Sequence, residues 1–460
     1  MASSDVKDIE HGLDRRDNES EKPPFEDNLK EEPPQLAVDA FGAEETAEVK
    51  YKTLDWWYVQ CGILMIAETV SVGVLSLPAT LASIGLIPAI ILIVGLGIVT
   101  TYSGYTIAQF RHKYPYVHSM ADAGFILMGP IGRHIIEVGQ LLFFLFACGS
   151  HLLTFTVMMN TLTDHGTCSI VFGVVGLVLS LIFSLPRTMK NVSWLAVTSF
   201  LSIFSAVVIT MIGVGIERPG YDQFQLTRKT SFVNGFTAVT NIVFAYCGHP
   251  AFFGFIAEMK NPHDFPKSLC MLQGFEIILY TVASAVIYRY AGQDVASPAL
   301  GSAGPVVRKV AYGVAIPTIV IAGVVLGHVA IKNVYVRMLR GTELMHKRNW
   351  KSIGVWIGLA VVFWVIAWVI AEAIPVFSNL LSLVSALFVS WFTFGLPGVF
   401  WLYIYKGQYF ASPMKIFLTL CNVCLFIFGV MICALGLWVS GVAIHNDKSH
   451  GSFTCANNAI

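Results

Sequence analysis

Two carboxylic acids and three imidazoles stand inside otherwise apolar stretches of the chain: Glu68, Glu276, His151, His249 and His328. A charged group within a membrane span costs on the order of 3 kcal/mol on insertion scales, so an acid in such a place is a functional candidate by default. Imidazole titrates near physiological pH. All five groups could therefore carry protons. Glu68 has the strongest claim because it lies in "IAETVSVGVLSLP", residues 66–78, beside Ser71, Gly73, Ser76 and Pro78. Glu276 has no helix break or second polar group next to it in sequence, which favours a structural tie. A lone histidine in an apolar span is most often a hydrogen-bonded packing residue. His249, directly before Pro250, carries the best claim of the three, and His328 follows.

The elements that hold these groups are set by composition. The chain has 460 residues, 55% hydrophobic and 13% charged, with a mean hydropathy of +0.67. That is outside the range of soluble domains and reads as an all-α integral membrane protein. No Asp, Glu, Lys or Arg occurs between Glu68 and Arg111, enough length for two spans of roughly 20 residues. Apolar runs bounded by charge or turn residues predict eleven spans, near 57–82, 85–110, 134–162, 168–186, 192–216, 232–257, 267–290, 307–338, 352–373, 376–405 and 414–444. A lipid-exposed backbone must satisfy its own hydrogen bonds, and the runs lack the alternation of barrel strands, so they are helices. The net charge of zero conceals a head, residues 1–50, with fifteen acids and six bases. That head reads as a disordered acidic tail, followed by a membrane domain at 51–445 and a short tail at 446–460.

Lys and Arg set the orientation. With the N terminus inside, the inner loops and span ends collect seventeen and the outer ones seven, which predicts a cytoplasmic N terminus and an extracellular C terminus.

Two of the spans are interrupted. In span one, Ser71, Gly73 and Ser76 weaken helix and offer competing hydrogen bonds, and Pro78 suits the first turn of a restarted helix. A break near residues 70–74 would leave the N–H groups of a second half-helix free at the bilayer midplane, where they favour an anion such as a carboxylate. Span six contains "FAYCGHPAFFGFIAEM", in which Gly248, His249 and Pro250 place a break near residues 246–249. Its first half would end with the carbonyls of Val243, Phe244, Ala245 and Tyr246 lacking helical partners, which suits an ammonium group. Spans one and six head two five-span sets, about 57–216 and 232–405, and an odd number inverts the second set. Broken helices at matched positions of inverted halves point to a midplane binding site in a secondary transporter. No HExxH, GxSxG or P-loop occurs, so neither hydrolysis nor direct use of nucleotide energy is signalled, and no enzyme is expected.

"SVGVLSLP", "IAETVSVGVLSLP" and "FAYCGHPAFFGFIAEMKNPHDFPKS", with the acidic head and eleven spans, resemble the amino acid/auxin permease family of the amino acid, polyamine and organocation superfamily. The likeness is greatest to fungal neutral amino acid permeases and covers nearly all of residues 50–445. It implies a five-plus-five inverted repeat of the leucine-transporter type with an extra helix eleven. It also implies proton-coupled uptake of neutral aliphatic and aromatic amino acids through a multi-pass protein of the plasma membrane. On this resemblance the substrate carboxylate meets the backbone of Ser71, Val72, Gly73 and Val74. The amino group meets carbonyls near Glu68, Phe244 and Ala245, and the side chain lies toward Tyr246, with Gly248 in the binding region. Other members of the fold with sodium coupling complete an ion site with hydroxyls on span eight, where this chain offers only Thr318 in 314–331. Protons are therefore favoured as the coupling ion and sodium is the alternative. No cofactor, metal or nucleic-acid partner is expected; the partners are a neutral L-amino acid and the lipid bilayer. A transporter of another solute on the same fold, a nutrient-sensing receptor and a channel are the competing functions. Cys168 and Cys455 both fall outside in this topology, where oxidising conditions permit a disulfide if their Cα atoms come close enough.

Overall fold

The computed structural model describes residues 57–187, 192–339, 342, 349–446 and 451–458; the acidic head expected at 1–50 lies outside them. Span one runs as Tyr58–Thr69, a 3-10 turn Val72–Ser76 and Leu77–Ile84, with a bend of 48° between its halves. Pro78 sits in the first turn of the restarted helix, where its missing N–H costs nothing. Span two is Leu86–Lys113, span three Met120–Thr163, span four Ser169–Ser184 and span five Val192–Glu217. Span six is Phe232–Ala245, a turn His249–Ala251 and Phe252–Glu258. Span seven is Phe265–Ala291, span eight Pro305–Leu339, span nine Trp350–Ala373 and span eleven Pro413–Asn446. Span ten combines Phe377–Val384, a π-helical stretch Ser385–Gly395 and Leu396–Ile404.

Two boundaries differ from those predicted. Span three begins at Met120 rather than 134, because Ser119 caps it: the Asp122 N–H donates to Ser119 Oγ at 3.1 Å, and the Ser119 N–H donates to Asp122 Oδ2 at 3.1 Å. The residues that read as a loop, Gly129 and Pro130, form a kink instead, with Gly129 at φ +65°, a conformation open to glycine. Span four has 16 helical residues, about 24 Å at 1.5 Å per residue, short of the roughly 30 Å hydrocarbon core. Among the described residues nine helices are long and apolar enough to cross a membrane, ten with the bent pair of span one, so length and composition do not reach the expected eleven.

The helices form two packed groups. Spans one, two, six and seven pack on one another, and spans three, four, eight and nine do likewise. Spans five and ten bridge the groups, and span eleven lies against spans six and ten. A disulfide joins Cys168 to Cys455 with a Cα separation of 4.5 Å. It fastens the tail 451–458 across the ends of spans three, four and nine. There Asn160 donates to Asn458 Oδ1 at 2.7 Å, Ser169 to Ala456 O at 2.6 Å, and the Phe453 N–H to Glu372 O at 3.2 Å.

Candidate functional site

The two breaks meet. A Cβ placed on Gly73 would stand 3.1 Å from Ala245 Cα and 3.4 Å from the Phe244 ring, and one on Gly248 would stand 3.0 Å from the Thr69 methyl. Only the absence of a side chain at both positions lets the half-helices cross this closely. The structure thus brings together Ser71, Val72, Gly73 and Val74 from span one with Phe244, Ala245, Tyr246 and Gly248 from span six.

The span-one side is bare. A 3-10 turn leaves the N–H groups of its cap and first two residues with no carbonyl behind them in the turn, here those of Ser71, Val72 and Gly73. The Ser76 hydroxyl donates to Gly73 O at 2.9 Å, and the Ser71 hydroxyl has no partner.

The span-six side is braced. Contrary to the expectation of free carbonyls, Phe244 O accepts from the Cys247 N–H at 3.1 Å, Ala245 O from the Tyr280 hydroxyl at 2.9 Å and Tyr246 O from the Gly248 N–H at 3.1 Å. Short-range bonds form because the chain turns sharply before Pro250, and Tyr280 reaches in from span seven. Tyr246 donates its hydroxyl to Ile93 O of span two at 2.9 Å. His249 is fully buried, with Nε2 2.8 Å from Ser103 Oγ and 3.1 Å from Thr100 O, both on span two.

Glu276 also departs from its expectation, since a second polar group does adjoin it. Tyr280, one turn further along the same helix, lies with its hydroxyl 3.4 Å from Glu276 Oε1 and ties the acid to Ala245 O at the break. His328 and His151 are not at the breaks. His328 Nε2 is 3.0 Å from Pro186 O, with its ring against Trp356, and His151 Nδ1 is 3.2 Å from Ile319 O. Both join helices of the group formed by spans three, four, eight and nine. Thr318 donates to Ser199 O of span five, so its hydroxyl is engaged there.

Burial around the breaks is unequal. Toward Ile84, every residue from Val72 to Pro78 is buried. The turn Ala299–Ser302 packs on this half, and backbone bonds clasp its end: Arg228 N–H to Ile84 O at 3.2 Å and Ile87 N–H to Leu226 O at 2.9 Å. Toward Tyr58, Ser71 and Thr69 are half-buried and Glu68 is exposed. On span six Phe244, Cys247, Gly248 and Ala251 are half-buried, and Gly254 and Glu258 are exposed. The more exposed residues around the breaks thus lie on the side toward Tyr58 and Glu258.

Reading the sequence alone missed Glu258, Tyr280 and Ser385. Glu258 closes the quoted span-six motif and was legible as an acid at a helix end. Tyr280 follows Glu276 by four residues, a helical neighbour. Ser385 is buried without a hydrogen-bond partner at the start of the π-helical stretch of span ten, which packs against the span-six break. π-Helical turns frequently mark functional sites. Its surroundings, "SALFVSWFTFG", carry no local signal for it.

The family described as "Transmembrane amino acid transporter protein" matches residues 53–441. The N amino acid transport system protein of Neurospora crassa is 36% identical over 427 residues, 90% of each chain. Among solved structures, a manganese transporter of Eremococcus coleocola superposes with a TM-score of 0.55 at 12% identity, covering 86% of this chain and 91% of that one. MhsT in complex with L-phenylalanine gives a TM-score of 0.51 at 11% identity, covering 83% and 98%. At these identities the likeness is one of fold, the leucine-transporter type.

Proposed function

This chain belongs to the transmembrane amino acid transporter family, and we propose that it imports neutral aliphatic and aromatic amino acids across the plasma membrane by proton symport. The observation that carries this reading is the crossing of the two breaks at Gly73 and Ala245. A helix restart presents N–H groups to a carboxylate, and a helix end a few ångströms away presents carbonyls to an ammonium, so a zwitterion fits between opposed dipole ends. Phe244 and Ala245 at the Gly73 crossing are apolar, which suits an uncharged substrate side chain.

With the N terminus cytoplasmic, the more exposed side of the breaks faces the cytoplasm and the clasped end faces outward, which supports an inward-facing state of alternating access. Glu68 stands at the C-terminal end of the first half-helix of span one, where the dipole disfavours negative charge. It is the proposed proton carrier. The Thr318 hydroxyl, which a sodium site would need, is committed to Ser199 O.

Purified protein in liposomes, with imposed gradients and labelled leucine or phenylalanine, tests this reading. An acidic exterior should drive accumulation and a sodium gradient alone should not, while labelled polyamines should fail to compete. Accumulation driven by sodium alone would refute the coupling. Unimpaired proton-driven accumulation in Glu68→Gln would remove that carboxyl from it.

A further inference from the structure

Tyr280 has one hydroxyl proton and two acceptors. Its oxygen is 2.9 Å from Ala245 O, at the span-six break, and 3.4 Å from Glu276 Oε1. Glu276 is fully buried, and its other oxygen, Oε2, has no hydrogen-bond partner. The bond to Ala245 is the shorter, so in this structure the tyrosine caps the carbonyl that an ammonium would use. Ala245 O has a second lone pair, but two donors crowded on one buried oxygen repel each other. A rotation of the hydroxyl about its C–O bond, with the ring fixed against Tyr246 at 5.2 Å, transfers the donated bond to Glu276. The carboxyl is the acceptor that keeps the displaced hydroxyl satisfied, and a buried hydroxyl left without one is costly.

We propose that Tyr280 is a displaceable cap on the amino-group subsite, and that Glu276 is the positioning residue that receives its hydroxyl when the substrate's ammonium arrives at Ala245. This rests on the reading that the amino group docks at the span-six carbonyls. Neither residue need touch the substrate: the pair sets what it costs to uncover Ala245 O, and so favours ligands whose α-amino group replaces the displaced donor.

The test is equilibrium binding of labelled leucine to the purified full-length protein, without gradients. Tyr280→Phe removes the cap and keeps the ring, so leucine should bind about three- to tenfold tighter, the change expected from relieving one hydrogen-bond exchange. Glu276→Leu strands the displaced hydroxyl and should weaken binding by a similar factor. In the Tyr280→Phe background the same Glu276→Leu change should do nothing, a sign pattern that general loosening of the site would not produce. If Tyr280→Phe does not fold, weakening by Glu276→Leu with an unchanged melting temperature carries the test. Tyr280→Phe that weakens leucine or leaves it unchanged, while Gly73→Val abolishes binding, overturns the cap and leaves the docking reading standing. If all three variants bind leucine normally, the docking reading fails and the cap fails with it.

Discussion

The two breaks solve opposite problems with opposite means. Among the described residues, the break in span one has no polar tie to another helix: a glycine pressed on Ala245, the Ser76 hydroxyl on Gly73 O within the turn, a Ser71 hydroxyl without a partner and N–H groups at the start of a turn. The break in span six is tied on three sides, through His249 to Ser103 and Thr100, through Tyr246 to Ile93 and through Ala245 to Tyr280. An anion subsite made of backbone N–H groups is complete as soon as the helix restarts. A cation subsite made of carbonyls is different, since buried oxygens find donors within the protein and must exchange them for the ligand. The difference teaches that affinity should reside in the bare break and stability in the braced one.

Substitutions separate the two properties, from the largest expected effect to the smallest. Gly73→Val forces side-chain atoms into a space where even a Cβ would lie 3.1 Å from Ala245 Cα. Overpacking of this kind costs about 1–3 kcal/mol, so the KM for leucine uptake should rise roughly 5- to 150-fold. His249→Phe fills the ring's place but ends its bonds to span two; the loss of about 1–3 kcal/mol should lower the melting temperature of detergent-purified protein. Tyr246→Phe keeps the ring contact with Tyr280 and loses only the bond to Ile93 O, about 0.5–1.5 kcal/mol, a smaller drop in the same thermal assay. Ser71→Ala removes a hydroxyl that bonds to nothing in the protein, so stability should stay within about 0.5 kcal/mol while leucine KM rises only a few-fold. A Ser71→Ala protein that melts far lower, or a His249→Phe protein that melts unchanged, would break the comparison.

Both breaks were legible because their causes are local. Proline excludes helix from the residue before it, and serine and glycine beside valines weaken helix wherever they stand. The bracing was not legible, because each tie crosses between helices whose facing residues have no sequence relation: Ser103 to His249 spans 146 positions, Tyr246 to Ile93 spans 153. Glu276 shows the limit within a single helix. Tyr280 stood one turn away in the sequence, but its meaning depended on the carbonyl of a residue from another span. The start of span three was lost for a different reason, since Gly129, Pro130 and Arg133 carry the signature of a loop and only the cap at Ser119 reveals the helix before them.

A structure of the protein with leucine bound tests the account most directly. The substrate carboxylate should lie within about 2.7–3.2 Å of the N–H groups at Ser71–Gly73, with the amino group on Ala245 O. Leucine seated away from the Gly73 and Ala245 crossing, or either break closed into a continuous helix, would contradict it.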